Sequence, residues 1–132
     1  MQIRSIGRIA ALSGALSVAL GAFAAHGLRD LVDPAQLAIF ETGVRYQFYH
    51  TFALACAAAL SGRTGVDAGR LRLAVYLWVT GMLLFSGSLY LLSLRELHHL
   101  PVGILGPITP VGGLLLIGGW AALFFSFKRT TV

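Results

Sequence analysis

Charge is what this chain lacks most. Only 11% of its 132 residues are Asp, Glu, Lys or Arg, against 57% hydrophobic, where an ordinary soluble domain carries about 25% charged residues. A chain of this length makes one domain, and one so short has too much surface to hide that much apolar side chain from water. The shortage of charge excludes a water-soluble domain and points to an all-α integral membrane protein. Cysteine is nearly absent as well. The single Cys56 excludes an intrachain disulfide framework, and between the alanines of "FALACAAAL" it reads as a small packing residue rather than a reactive thiol. Acids are scarcer than bases, five against ten, for a net charge of +5. The bases lie in short segments between apolar runs, with no basic face interleaved with aromatics. Nucleic acid is therefore not an expected partner, whereas membrane lipids are.

What is present is a set of four apolar runs, placed roughly at 7–26, 44–62, 71–94 and 108–127. Ile9 to Ala25 carries no charge and is long enough to cross most of a hydrocarbon core of about 30 Å. Arg4, Arg8 and the "AFAAHG" that follows imitate a signal peptide, whose removal would leave three spans. In "LVDPAQL", Asp33 suits the N-cap and Pro34 the first helical position. Gln36 can close a capping box there, and Val32 can staple onto Leu37. No stop follows until "SGRTG", where Gly62 suits the residue after the cap. That helix would run about 40 Å, longer than a core requires, so "PAQLAIFETGV" is expected as a short amphipathic helix along the interface, bending at Gly43. Leu73 to Leu94 is the third run. In the fourth, "GPITP" reads as a turn, with Thr109 capping and Pro110 opening the span.

Orientation follows from the cations. Arg4, Arg8, Arg63, Arg70, Arg72, Lys128 and Arg129 fall on one side of this arrangement. Arg29, Arg45 and Arg95 fall on the other, with Asp30, Asp33, Glu41 and Glu96. Short loops obey the positive-inside rule, which predicts a four-helix membrane bundle with both termini cytoplasmic, most simply in a bacterial inner membrane. Glycines and small residues stud the spans: Gly14, Ser17 and Gly21 in the first, Gly81 and Gly87 in the third, Gly112 to Gly119 in the fourth. They let helices approach closely. Their use is tight packing within the bundle, with a homo-oligomer or a larger membrane complex open through Gly112 to Gly119.

The polar residues gather in the half away from the basic side. At about 1.5 Å per residue, His50 lies about 16 Å from the basic end and Arg45 about 24 Å. By the same rise Ser86, Ser88 and Tyr90 lie about 21, 24 and 27 Å from it, and His26 ends the first span. Glu41 and Arg45 are four apart with the acid first, the better order for an ion pair, and Tyr49 continues that stripe. Tyr46 and His50 share a neighbouring stripe. An Arg near the interface can snorkel, but a deeper His must face the interior with a partner.

One reading of this cluster is structural: a hydrogen-bonded network fixing helix register, with Tyr46 and Tyr49 in an interfacial belt. A second makes His26, Arg45, Tyr46, Gln47, Tyr49, His50, Ser86, Ser88 and Tyr90 a site that binds or translocates a small polar molecule, an ion or a lipid headgroup. Arg45 would then be the fixed cation for an anionic group. No cofactor is expected, since His26, His50, His98 and His99 show no metal or haem ligand spacing. Ser86, Ser88, His26, His50 and Glu41 include the residue types of a hydrolase, but no local motif sets a nucleophile beside a base, so an enzyme is not expected. Beside these stands a structural or accessory subunit docked on a larger complex.

Four stretches taken together carry a resemblance: "GAFAAHGL" (residues 21–28), "FETGVRYQFYH" (40–50), "FSGSLYLL" (85–92) and "GPITPVGG" (106–113). In this order and spacing, over nearly the whole chain, the sequence resembles the family called domain of unknown function 423, or transmembrane protein 256-like. Ala24 stands where the family block would have glycine. The resemblance implies a small four-span membrane protein with its first span retained, and it implies no activity.

Overall fold

The structure is a computed structural model describing residues 3–98 and 101–128. His99 and Arg129, which entered the histidine and charge readings above, lie outside the described residues. Four long helices dominate: α1 (Ile3–Phe23), α2 (Pro34–Leu60), α3 (Ala68–Ser93) and α4 (Leu105–Phe124). A π-helical turn, Ala24–Leu28, extends α1, and a 3-10 turn, Val102–Ile104, leads into α4. Each helix packs on the next in chain order.

The ends of α2 follow from local chemistry. The Asp33 carboxylate accepts from the Gln36 backbone N–H at 2.8 Å, with Pro34 opening the first turn. Ser61 caps the far end and Gly62 follows at φ 80°, a conformation only glycine adopts freely. Val32 and Leu37 both pack on the buried cluster of Ala24, Leu28 and Phe40. The capping box does not close. The Gln36 side chain instead donates to Glu96 Oε1 at 2.8 Å, tying the start of α2 to the segment after α3.

Two expected boundaries are corrected. No separate interfacial helix precedes the second run, because α2 continues unbroken from Pro34 through Gly43 to Leu60. Gly43 does not interrupt the helix but receives a neighbour: a Cβ there would come 2.8 Å from the Tyr90 ring. "GPITP" is likewise helical rather than a turn. Pro107 sits in the first turn, where backbone N–H groups have no helical partner anyway. Pro110 lies inside α4, where it forgoes the bond to the carbonyl of Gly106, and Thr109 bonds back to the Leu105 carbonyl at 3.2 Å instead of capping.

All four helices share one apolar core. Ile6 and Ala10 of α1 meet Leu54 and Ala57 of α2, Leu71, Val75 and Trp78 of α3, and Leu116 and Ala122 of α4. Between α3 and α4 the approach is close enough that a Cβ on Gly112 would collide with the Phe85 backbone, and one on Gly119 with the Trp78 indole. Gly113 and Gly118 also face α3 side chains, Phe85 and Leu77. These four glycines of α4 all face α3.

The basic end is clasped by backbone bonds. Asp67 N–H donates to the Ser126 carbonyl at 2.7 Å, and Lys128 N–H to that of Gly65 at 2.8 Å. Arg70 adds a bond to the Phe125 carbonyl. Large apolar side chains point outward along α1, α3 and α4, among them Leu12, Leu83, Leu114 and Ile117. With its π turn α1 is long and apolar enough to cross a membrane, as are α3 and α4. Helix α2, which carries Glu41, Arg45, Gln47 and His50, is not among them.

Candidate functional site

The inward edge of α2 decides which polar groups meet. Gln36, Phe40, Gly43, Gln47, His50, Leu54 and Ala57 are all buried, at spacings that alternate between four and three. This is a heptad seam. It puts two glutamines and a histidine into the interior and leaves the Glu41, Arg45 and Tyr49 stripe outside.

Gln47 is the hub. Its Nε2 donates to the Ser13 carbonyl at 3.2 Å, and its Oε1 accepts from the Tyr90 hydroxyl at 2.8 Å. One side chain thereby joins α1, α2 and α3. The Thr51 hydroxyl donates to the Gln47 carbonyl at 2.9 Å and meets the Ser13 hydroxyl at 2.7 Å. With the proton of Thr51 committed, Ser13 is the donor in that pair. Buried polar groups need internal partners, and these find them in one another.

His50 faces the other way, toward α4. It is 5% exposed. Its Nδ1 lies 2.8 Å from the Tyr46 carbonyl, and its Nε2 lies 3.2 Å from the Trp120 indole N–H. A carbonyl only accepts and an indole N–H only donates, so the Nδ1-protonated tautomer satisfies both ring nitrogens. Trp120 packs edge-on against Trp78, centroids 5.0 Å apart, and Tyr46 lies against Phe85 at 4.8 Å. The residues form an aromatic box around a histidine whose bonds are all used.

Arg45 belongs to a third place, a cleft of about 390 Å³ between α1 and α2. Ser17, Gly21, Val44 and Phe48 line it, with Glu41 and Arg45. The expected Glu41–Arg45 ion pair is not formed: among the described residues the one ion pair within 4.0 Å is Arg29–Asp30. Both heads are exposed, and an exposed pair at this spacing gains only about 0.3–0.5 kcal/mol, too little to hold two long side chains together.

The other candidates scatter. Ser88 pairs with Thr109 of α4 at 2.7 Å. Ser86 is buried yet its hydroxyl has no partner among the described residues, contrary to the expectation that it supplies a hydrogen bond. His26 is exposed on the π turn, and Tyr49 is exposed beside Tyr46. The nine candidates therefore do not form one site. Gln47 joins Tyr90, and His50 joins Tyr46, whose ring Tyr49 also approaches, while Arg45, His26, Ser86 and Ser88 stand apart from both pairs. Reading the sequence by stripes missed Ser13, Thr51 and Trp120 as partners. Among the described residues no three His, Cys, Asp or Glu side chains converge as a metal site.

A second cleft, of about 430 Å³, opens between α1 and α3. Leu12, Leu16, Val79 and Leu83 are among its walls, and Ser13, Gln47 and Tyr90 also border it. It shares no lining residue with the Arg45 cleft.

Comparison with known proteins places these features in a group. A family model described as "Protein of unknown function (DUF423)" matches residues 20–113, a range that contains all four stretches singled out in the sequence. A UPF0382 membrane protein of Haemophilus influenzae is 42% identical over 125 residues, 94% of this chain and 94% of its own length. The UPF0382 membrane protein YwdK of Bacillus subtilis is 40% identical, covering 85% of this chain and 86% of its own. A UPF0382 membrane protein of Schizosaccharomyces pombe is 41% identical over 90% of this chain and 98% of its own. No solved structure matches.

Proposed function

The chain belongs to the DUF423 family of membrane proteins, and from that premise we propose that it is a four-span lipid-binding protein that holds a phospholipid at the cleft between α1 and α2. Helix α2 is the fourth span. Its 27 residues reach about 40 Å, and its polar edge is turned inward, where neighbouring helices supply hydrogen bonds. The cation asymmetry sets both termini on the cytoplasmic side, and in a bacterium the membrane is the inner one.

The observation that carries the binding reading is that Glu41 and Arg45 border a cleft whose other walls are mostly apolar and, among the described residues, form no ion pair. A phospholipid suits that arrangement: a phosphate for the Arg45 guanidinium, which binds such groups through two parallel N–H bonds, and an acyl chain along Val44 and Phe48. Binding rather than catalysis is the role. His50, Ser88 and Thr109 serve helix register, since each is bonded to the protein. Docking on a larger complex is less well supported, because the Gly112 to Gly119 face is covered by α3.

The test is native mass spectrometry of the detergent-purified chain with phosphatidylglycerol, comparing the wild type with Arg45→Ala. A lost charge-assisted hydrogen bond is worth about 1.5–3 kcal/mol, so retention should weaken about tenfold or more while the thermal midpoint holds. Equal retention by both proteins defeats the reading.

A further inference from the structure

The α1–α3 cleft contains hydrogen-bonding capacity that the protein does not use. The orientation of the Gln47 amide is fixed by its neighbours. The Ser13 carbonyl can only accept, so Nε2 must face it, and Oε1 then faces Tyr90. The Tyr90 phenol must therefore be the donor in its bond to Oε1, which leaves its oxygen free to accept. Of the two Gln47 amide hydrogens, one is committed to Ser13, and the other has no protein partner among the described residues. Both residues line the cleft, as does Ser13, so the polar atoms at its border are one N–H donor and the hydroxyl oxygens of Tyr90 and Ser13 as acceptors, among otherwise aliphatic walls. No charged residue lines it.

That pairing selects a chemistry. A hydrocarbon chain answers neither group, and a ketone or ester carbonyl answers only the N–H. A hydroxyl answers both, accepting from Gln47 and donating to Tyr90. The absence of charge disfavours a phospholipid headgroup, and Gln47 sits midway along α2, deeper than a headgroup anchored at the interface would lie. We propose that the cleft between α1 and α3 binds an uncharged long-chain alcohol, with its hydroxyl bridging Gln47 and Tyr90 and its chain along Leu12, Leu16, Val79 and Leu83. This site is distinct from the Arg45 cleft and stands without it.

Gly87 gives the means to close the cleft. It lines the space, and a Cβ there meets nothing within 4 Å. The experiment is native mass spectrometry of the full chain in detergent, titrated with geranylgeraniol. The expected result is a saturable one-to-one adduct. The methyl ether of the same alcohol lacks the donor and should bind roughly three- to tenfold more weakly. Gly87→Phe should abolish the adduct and leave the thermal midpoint unchanged. Gln47→Met should weaken it, and if that variant fails to fold, the ether and Gly87→Phe still decide. Equal binding of alcohol and ether, or an adduct undiminished by Gly87→Phe, overturns the proposal. Competition by dioleoylglycerol names the source: displacement points to acyl-chain alcohols and its absence to isoprenoid alcohols, and the hydroxyl assignment stands in both cases.

Discussion

The two halves of this bundle are held together by different means. Toward the basic end the interior is dry, with Ala10, Ala57, Leu71, Val75, Trp78 and Ala122 in contact across all four helices. From the level of His50 and Thr51 to the opposite end, bonds between side chains take over: Ser13–Thr51, Gln47–Tyr90, His50–Trp120, Ser88–Thr109 and Gln36–Glu96. The clefts beside Arg45 and Gln47 adjoin this linked half. Lipid tails are as apolar as leucine, so helices in a membrane gain little from hiding apolar surface from each other. Inside the dry half the helices must then rely on close contact, with hydrogen bonds only at the clasp that closes its end. A half with polar links can leave gaps, because directional bonds hold the helices where packing does not.

Breaking the dry half should have the largest effect. Gly119→Ala would drive a methyl into the fully buried Trp78 indole, and overpacking of this kind costs about 1–3 kcal/mol. Gly118→Ala is the matched control. Its Cβ would make ordinary contact with Leu77 at 3.5 Å, so it should keep the gain in helix propensity of about 1 kcal/mol. Thermal midpoints in detergent should fall for the first and hold or rise for the second. Equal effects would mean that α3 and α4 are not packed as closely as described.

Gln47→Leu probes the linked half and should cost less, about 1–2 kcal/mol. It removes the donor to Ser13 and strands the Tyr90 hydroxyl. The diagnostic is a double-mutant cycle with Tyr90→Phe. The two losses should overlap by about 0.5–1.5 kcal/mol. Strict additivity would remove the bond from the account of stability.

Much of this contrast could be read in the sequence, though not the part that decides the site. Asp33, Pro34 and Gly62 marked the limits of α2 because caps are local chemistry. Counting helix rise put the polar residues away from the basic end, because rise measures height. It says nothing of direction around the axis, so residues at similar heights look like one cluster although α2 points Gln47 toward α1 and α3, and His50 toward α4. The heptad from Gln36 to Ala57 held that information. It was obscured because Gln, Gly and His do not look like a core stripe. Trp120 as the partner of His50, 70 residues away, leaves no local trace. Pro110 misled for another reason: a proline that would end a soluble helix is tolerated in a membrane helix, whose neighbours and side chains compensate for the lost bond.

The smallest expected effect comes from outside the spans, at the clasp that closes the dry half. Asp67 caps α3, its carboxylate accepting from the Arg70 N–H at 2.9 Å while its own N–H reaches Ser126. The bond from the Arg70 backbone holds this carboxyl below the usual aspartate range, and the charges of Lys128 and Arg70 add to it. Because the folded value is depressed, the stabilisation is complete above the unfolded pKa of about 3.9 and is lost as pH falls through the lower folded value. Thermal midpoints between about pH 6 and about pH 2.5 should therefore decline at the acid end for the wild type, and less for Asp67→Asn, whose amide oxygen can cap without titrating. The difference between the two curves matters, since other carboxylates also titrate in that window. Parallel curves would mean that the clasp is held by its backbone bonds alone.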